Sequence, residues 1–133
     1  MNIGFTNGCF DIVHVGHLSL FEHLKKQVDY VIVGIDSDKM VKKAKGNDRP
    51  INNEKDRKFF LEKIRDVDEV FIFDSHDELR SALSKIKPNY MLVGSDYQNK
   101  EVIGSEHAKL LDFFEVIDGH STTKILQNTP TRG

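Results

Sequence analysis

Tyr30-Val-Ile-Val-Gly-Ile35 is a continuous, mostly β-branched apolar run, the pattern of a strand that is buried on both faces of a parallel sheet. Upstream of it, residues 2–6 predict a first strand, and residues 17–26 carry Leu18, Leu20, Phe21 and Leu24 at helical spacing. The chain therefore opens with a strand, a loop, a helix and a second strand.

The same alternation continues downstream. After a lysine-rich stretch over 36–52, read as a short helix and a mobile loop, we predict strands over 69–73, 90–93 and 113–117, and helices over 53–64, 77–86, 105–111 and 121–127. Asn53 is the predicted N-cap of its helix, and Ser121 or Thr122 would cap the last one. Phe59, Phe60, Phe113 and Phe114 are predicted to pack in the core.

Strands that alternate with helices predict an α/β fold, a Rossmann-like, doubly wound five-stranded parallel sheet with helices on both faces. We expect one domain over residues 1–127 and a flexible tail over 128–133. Ligands bind such sheets at the carboxyl ends of the strands. The loops at 7–16, 36–49, 94–105 and 118–123 are therefore the predicted functional loops.

Composition excludes several classes of function. The 133 residues include 19 Lys+Arg and 21 Asp+Glu, a net charge of −2, which lacks the broad basic field of a nucleic-acid binder. No apolar run approaches the roughly 20 residues that span a bilayer, so we expect no membrane partner. Cys9, the single cysteine, forms no internal disulfide and fits a reducing cytoplasm, where we expect the protein to be located.

The loop after the first strand reads Asn7-Gly-Cys-Phe-Asp-Ile-Val-His-Val-Gly-His17. Gly8 and Gly16 permit close approach of a ligand to the backbone, and two imidazoles stand beside a helix N-terminus, whose free N–H groups and dipole favour anions. The loop is therefore a predicted phosphate site. A zinc site is a poor alternative, because His14 and His17 have no third ligand nearby in sequence.

Six residues of this loop form a more specific pattern, G-x-F-D-x-x-H-x-G-H, which resembles the signature of the cytidylyltransferase-like nucleotidyltransferase superfamily. They are Gly8, Phe10, Asp11, His14, Gly16 and His17. The resemblance extends over nearly the whole chain, and it implies the nucleotidyltransferase (HUP-type) fold. The implied reaction transfers a nucleotidyl group from a nucleoside triphosphate to a phosphorylated small molecule and releases pyrophosphate.

The resemblance also implies roles for individual residues. His14 and His17 would donate hydrogen bonds to the triphosphate, and Lys45, on a loop able to close, would bind phosphates of donor and acceptor. These three are the predicted catalytic residues. The predicted nucleotide-binding residues are Gly8, Cys9, Phe10, Asp11, Gly16, Gly94, Asp96, Tyr97, Gly119, Ser121, Thr122 and Thr123.

Other roles stay open at this stage. Acceptor-binding residues are predicted at Asp38, Arg57 and Arg65. A Mg²⁺ ion carried in with the nucleotide is expected, held mainly by phosphates, with Asp11 either a ligand to it or an orienter of the loop. Tyr97 either packs on the nucleotide base or packs within its loop.

Two subfamilies compete for the substrates, ATP or CTP and a sugar or polyol phosphate. Residues 94–105 and 114–123 are similar to the adenylyltransferase that makes ADP-heptose from heptose 1-phosphate. Residues 64–70 and 121–125 resemble glycerol-3-phosphate cytidylyltransferase, but Val116, Ile117 and Asp118 replace the Arg-Thr-Glu of its motif. The first reading is favoured; a nucleotide-binding regulatory module without turnover is the non-enzyme alternative. A homodimer is expected from relatives of this size.

Overall fold

The computed structural model describes residues 1–115, which form five strands, four α-helices and two short 3₁₀ turns. The strands are β1 (Ile3–Gly8), β2 (Tyr30–Asp36), β3 (Glu69–Phe73), β4 (Tyr90–Gly94) and β5 (Leu110–Phe114). The helices are α1 (Val15–Gln27), α2 (Asp38–Lys45), α3 (Glu54–Glu62) and α4 (His76–Ile86), and the 3₁₀ turns are Ser95–Tyr97 and Ser105–His107.

The strands form one parallel sheet in the order β3-β2-β1-β4-β5. The chain moves outward from β1 through β2 to β3, then returns to the other side of β1 for β4 and β5. The order therefore reverses between β1 and β4, and in sheets of this kind the ligand-binding crevice lies at the carboxyl ends of those two strands. This confirms the predicted α/β class and the parallel five-stranded sheet.

Two apolar clusters lie against the two faces of the sheet. One is built around α1 and α3 and includes Phe21, Leu24 and Leu61. The other includes Leu79 and Leu83 of α4. Helices thus cover both faces, which is why residues 30–35 of β2 are apolar at successive positions.

The predicted helix over 105–111 is wrong. A 3₁₀ turn occupies Ser105–His107, and β5 begins at Leu110, three residues before the predicted start of the last strand. Leu110 pairs with Tyr90 of β4, so this segment must be extended. The pairing with a neighbouring strand outweighs the local helical pattern.

Two of the predicted core phenylalanines are exposed. Phe59 and Phe60 are 61% and 54% exposed, whereas Arg57 and Leu61, one helical turn apart, form the buried face of α3. The helix also ends at Glu62, two residues before the predicted end. Phe113 and Phe114 are partly buried and pack against the two clusters, as predicted.

Three further predictions lie outside residues 1–115. They are the end of the last predicted strand, the helix over 121–127 and the tail over 128–133. Among the described helices, none has both the length and the apolar character needed to cross a membrane.

Candidate active site

The carboxyl ends of three neighbouring strands, β2, β1 and β4, carry most of the predicted site residues. Gly8, Asp36 and Gly94 are the last residues of these strands. The loop after β1 leads directly into α1, so the N-terminus of that helix lies near the carboxyl end of the central strand. The predicted phosphate site therefore lies where this class of sheet binds its ligands.

His14 and His17 are stacked on each other at the start of α1. Their ring centroids are 3.9 Å apart, and the ring planes differ by 26°. His14 is the N-cap, and its Nδ1 accepts a hydrogen bond from the backbone N–H of Gly16 at 3.1 Å. His17 Nδ1 accepts from the backbone N–H of His14 at 3.3 Å. Helix capping thus fixes both rings in one orientation.

These hydrogen bonds also assign the tautomer of each neutral ring. Because Nδ1 is an acceptor in both cases, the proton of the neutral imidazole resides on Nε2. Burial, and then the charges of His14 and Lys45, lower the pKa of His17 to about 4. At neutral pH, His17 is therefore an uncharged hydrogen-bond donor through Nε2.

Phe10 packs between the imidazole pair and the core of the domain. Its backbone adopts a left-handed conformation with φ of 50°, and its ring is buried against Phe21 at a centroid distance of 5.3 Å. The same ring lies nearly perpendicular to the His17 ring, at a centroid distance of 5.1 Å. A side chain at Gly8 would contact the Phe10 ring at 3.2 Å. Phe10 is therefore a packing residue that holds His17 in place.

Asp11 joins the imidazole loop to the loop that precedes α3. Its side chain is fully buried, and its oxygens accept from the backbone N–H groups of Ile51 and Asn52, both at 2.8 Å, and from Arg49 Nε at 3.3 Å. The side-chain amide of Asn52 donates a hydrogen bond to the backbone carbonyl of Asp11 at 2.7 Å. This geometry favours the orienting role for Asp11 over the metal-ligand alternative, because the carboxylate is sealed from any incoming ion.

Arg57 also joins separate segments of the chain, as Asp11 does, and it is only 2% exposed. Its guanidinium donates to the carbonyls of Cys9, Asp36 and Asn52 at 2.8–3.0 Å, and to Asp38 Oδ1 at 2.8 Å. Every bond goes to the protein itself and the side chain is buried, so Arg57 holds the ends of β1 and β2 together. The structure thus gives it a positioning role, in place of the predicted contact with the acceptor.

Lys45 is exposed at the end of α2, and its charge reaches three groups of the site. It lowers the pKa of His17, and it opposes the burial that raises the pKa values of Cys9 and Asp36. Of the three predicted catalytic residues, His14 and His17 are in contact, and the charge of the exposed Lys45 acts on His17. The raised pKa keeps the Cys9 thiol protonated at neutral pH, which fits a space-filling residue better than a nucleophile.

Tyr97 follows β4 on the other side of the crevice. It is 45% exposed, lies in the 3₁₀ turn that also contains Asp96, and has Lys100 Nζ 5.6 Å from its ring centroid. Partial burial, and then the charges of Asp96 and Asp36, raise the pKa of its phenol. The half-exposed ring leaves both of its predicted roles open.

Two of the predicted acceptor-binding residues are placed differently from the expectation. The Asp38 carboxylate is held by Arg57. Arg65 is exposed and pairs with Asp66 in the segment that leads into β3, so it lies at the amino edge of the sheet, opposite the site. Gly119, Ser121, Thr122 and Thr123 lie outside the described residues.

Sequence reasoning named no role for three contributors. Arg49 and Asn52 bind Asp11, and the charge of Lys45 acts on Asp36. The contacts of Arg49 and Asn52 could not be predicted, because Asp11 is 38 and 41 residues away. Asp36 did carry a signal, since it is the polar residue that ends the apolar β2 run.

Stacked imidazoles thus lie at a helix N-terminus, next to the point where the strand order of a parallel sheet reverses. Residues 5–128 match the model of the family described as cytidylyltransferase-like. The chain therefore belongs to the cytidylyltransferase-like family.

Curated relatives agree with the family match. The chain is 44% identical over 125 residues to the protein named bifunctional protein HldE of Helicobacter pylori, and 43% identical over 125 residues to the protein of the same name from a Nitratiruptor species. Each match covers 94% of this chain and 27% of the relative. The chain thus spans about a quarter of the length of these relatives.

Solved structures share the fold. A lipopolysaccharide core biosynthesis protein from Thermoplasma volcanium superposes with a TM-score of 0.68 at 22% identity, over 88% of this chain and 97% of that one. A protein of unknown function from Archaeoglobus fulgidus gives a TM-score of 0.68 at 16% identity, over 92% and 94% of the two chains. At these identities the likeness concerns the fold alone.

Proposed function

We propose that this domain transfers an adenylyl group from ATP to a sugar 1-phosphate, specifically a heptose 1-phosphate, and releases pyrophosphate. The observation that carries the proposal is the stacked pair His14 and His17 at the N-terminus of α1. Two features favour ATP and heptose 1-phosphate over CTP and glycerol 3-phosphate. They are the resemblance of residues 94–105 and 114–123 to the ADP-heptose enzyme, and the similarity to the proteins named HldE.

The reaction needs little covalent chemistry from the protein. The acceptor phosphate is largely ionised near pH 7, because its second pKa is about 6, and it attacks the α-phosphorus of ATP as the bond to pyrophosphate breaks. The protein must align the two phosphates and stabilise the charge that develops on the leaving group. Nε2–H of His14 and of His17 would donate to the triphosphate oxygens, and Lys45 would bind phosphate from the exposed side.

A Mg²⁺ ion is part of this proposal. Within residues 1–115, no group of three or more His, Cys, Asp or Glu side chains is arranged to hold a metal. This donor set fits an ion that arrives with ATP and is held mainly by its phosphates. Such an ion would neutralise phosphate charge.

The proposal extends to location and assembly. ATP and a sugar phosphate are cytoplasmic metabolites, so we place the enzyme in the cytoplasm. The exposed apolar surface of α3 at Phe59 and Phe60 supports a homodimer, because exposed apolar surface favours a protein interface. Sedimentation velocity, with Phe60→Ser as the variant expected to weaken association, tests this part.

A pyrophosphate-release assay tests the reaction. ATP and CTP are each combined with heptose 1-phosphate and with glycerol 3-phosphate, and we expect turnover with ATP and heptose 1-phosphate. Turnover confined to CTP and glycerol 3-phosphate would replace our choice by the cytidylyltransferase. Nucleotide binding without pyrophosphate in all four combinations would indicate a regulatory module.

A further inference from the structure

The basic loop between α2 and α3 contains a side chain whose hydrogen bonding is incomplete. The guanidinium of Arg49 donates through Nε to Asp11 Oδ2 at 3.3 Å, and this side chain is only 12% exposed. Its Nη2 is closed to solvent and forms no hydrogen bond with any of residues 1–115. Native proteins pair nearly all of their buried polar groups, and an unpaired group on a charged side chain is especially costly. The unpaired Nη2 therefore indicates a further partner for this guanidinium.

The contact with Asp11 leaves Arg49 available to such a partner. A charge-assisted bond between nitrogen and carboxylate is usually about 2.7–2.9 Å long, so the contact at 3.3 Å is a weak one. Asp11 does not depend on it, because the backbone N–H groups of Ile51 and Asn52 donate to the same carboxylate at 2.8 Å. The guanidinium can therefore turn to a ligand without leaving the Asp11 carboxylate unpaired.

Arg49 lies close to the end of α2 and to the imidazole loop. Helix α2 ends at Lys45, and a turn follows in which the backbone N–H of Arg49 donates to the Gly46 carbonyl at 3.3 Å. The contact with Asp11 holds the guanidinium against the loop that leads into α1. The charge of Lys45 acts on His17 in that helix. Two cations joined by one turn therefore lie beside the imidazole loop, where the proposed function puts phosphate groups.

The chemistry of the guanidinium specifies the kind of partner. It carries a permanent positive charge and several N–H donors but no acceptor, so it binds anionic oxygen. Its planar fork matches the geometry of a phosphate group. Residues 42–49 contain four basic side chains and one acidic side chain, an excess of positive charge that favours an anionic ligand.

We propose that Arg49 binds a phosphate group of a substrate, that of the nucleotide or of the acceptor, through its unpaired Nη2. This inference rests on the proposed function, which brings both phosphates to this edge of the sheet. The turn over 46–49 shifts when the ligand binds, since Nη2 is closed to solvent in the free protein. Arg49 differs in this from Arg57, whose guanidinium donates to protein oxygens through all three nitrogens.

Titration calorimetry of the 133-residue chain tests this assignment with ligands that differ in phosphate. A non-hydrolysable ATP analogue is compared with adenosine, and heptose 1-phosphate with heptose; inorganic pyrophosphate is a further probe. For Arg49→Met we expect the Kd of at least one phosphorylated ligand to rise about tenfold or more, because a hydrogen bond to a charged group is lost. The Kd values of adenosine and heptose should stay within about twofold of the wild-type values.

Two further variants complete the comparison. Arg49→Lys keeps the charge but loses the planar fork, so its Kd values should fall between those of wild type and Arg49→Met. Lys58→Met is the matched control, because it removes a positive charge that pairs with Glu62 on the surface of α3, and all its Kd values should stay within about twofold. A loss confined to the ATP analogue assigns Arg49 to the nucleotide, and a loss confined to heptose 1-phosphate assigns it to the acceptor.

Three results would overturn the inference. The first is an unchanged Kd of every phosphorylated ligand in Arg49→Met. The second is an equal loss of affinity for phosphorylated and phosphate-free ligands, which would assign Arg49 to loop structure through Asp11. The third is wild-type protein that binds none of the phosphorylated ligands. Circular dichroism shows whether each variant is folded, and Arg49→Lys provides the comparison if Arg49→Met does not fold.

Binding measurements also separate this inference from the proposed function. Wild-type protein that releases no pyrophosphate would contradict the proposed reaction alone, and a phosphate-dependent loss of binding in Arg49→Met would still support the role of Arg49. Wild-type protein that turns over, while Arg49→Met binds every phosphorylated ligand normally, would contradict the inference alone.

Discussion

His17 has two aromatic neighbours, the stacked ring of His14 and the ring of Phe10, which lies nearly perpendicular to it. This environment, rather than the identity of the residue, explains why the ring is held as a neutral donor. A neutral donor is suited to a site that receives a highly charged ligand, because no cation has to be buried in the free protein before the ligand arrives.

Replacement of this ring should impair turnover. For His17→Ala we expect kcat to fall by at least about 10²-fold, the cost typical of removing one donor that stabilises a developing charge. His23→Ala removes a histidine from the same helix, where it packs beside Phe114, and should leave kcat nearly unchanged. Near-normal turnover of His17→Ala would remove this residue from the mechanism.

The lowered pKa of His17 also makes a pH prediction. The pKa is about 4 in the folded protein and about 6.5 in an unfolded chain, so the unfolded state binds more protons between these values. The contribution of His17 to stability is therefore fully present above pH 6.5 and declines as the pH falls toward 4. An NMR titration of the His17 ring should give a pKa near 4, and a value near 6.5 would contradict the described environment.

At the scale of elements, two buried junctions connect the loops of the site. Asp11 ties the imidazole loop to residues 49–52, and Arg57 of α3 ties the ends of β1 and β2 to that same loop. The positions of His14 and His17 therefore depend on a helix that does not contain them.

Loss of the Arg57 junction should destabilise the domain. For Arg57→Ala we expect the free energy of unfolding to fall by about 3–5 kcal/mol, because the Asp38 pair is broken and three carbonyls lose their donor. Lys58→Ala, the next residue on α3 with a surface partner in Glu62, should change it by less than about 0.5 kcal/mol. Urea unfolding measures both, and a loss below about 1 kcal/mol for Arg57→Ala would contradict the role described.

Local pattern was sufficient to predict some elements and insufficient for others. The β2 run and the apolar spacing of α1 reflect burial along one continuous segment, so the sequence reveals them directly. The segment 105–111 becomes a turn and a strand because β4 pairs with it, and three of the four partners of Arg57 are 19 to 48 residues away. Such dependence on distant residues leaves no local signal.

At the scale of the whole molecule, the fold class was predictable, since alternating strands and helices restrict the chain to few arrangements. The two imidazoles at the start of α1 were also predictable from the sequence. The register, that is, which residues of neighbouring strands pair, was not. A net charge of −2 also conceals a local excess of positive charge, as Lys42, Lys43, Lys45 and Arg49 follow one another beside the site. The local cluster of positive charge, rather than the net charge of the chain, therefore determines which ligands this part of the surface attracts.

The strand order has a consequence for synthesis of the chain. β1 is the central strand, and its second neighbour, β4, begins 86 positions after the Gly4 that pairs with Tyr90. On the ribosome, β1, β2 and β3 emerge first and can form one half of the sheet, with one side of β1 still unpaired until residues 90–94 leave the exit tunnel. The crevice at the end of β1 is thus completed late, so a stalled or truncated chain would expose an unpaired strand edge prone to aggregation.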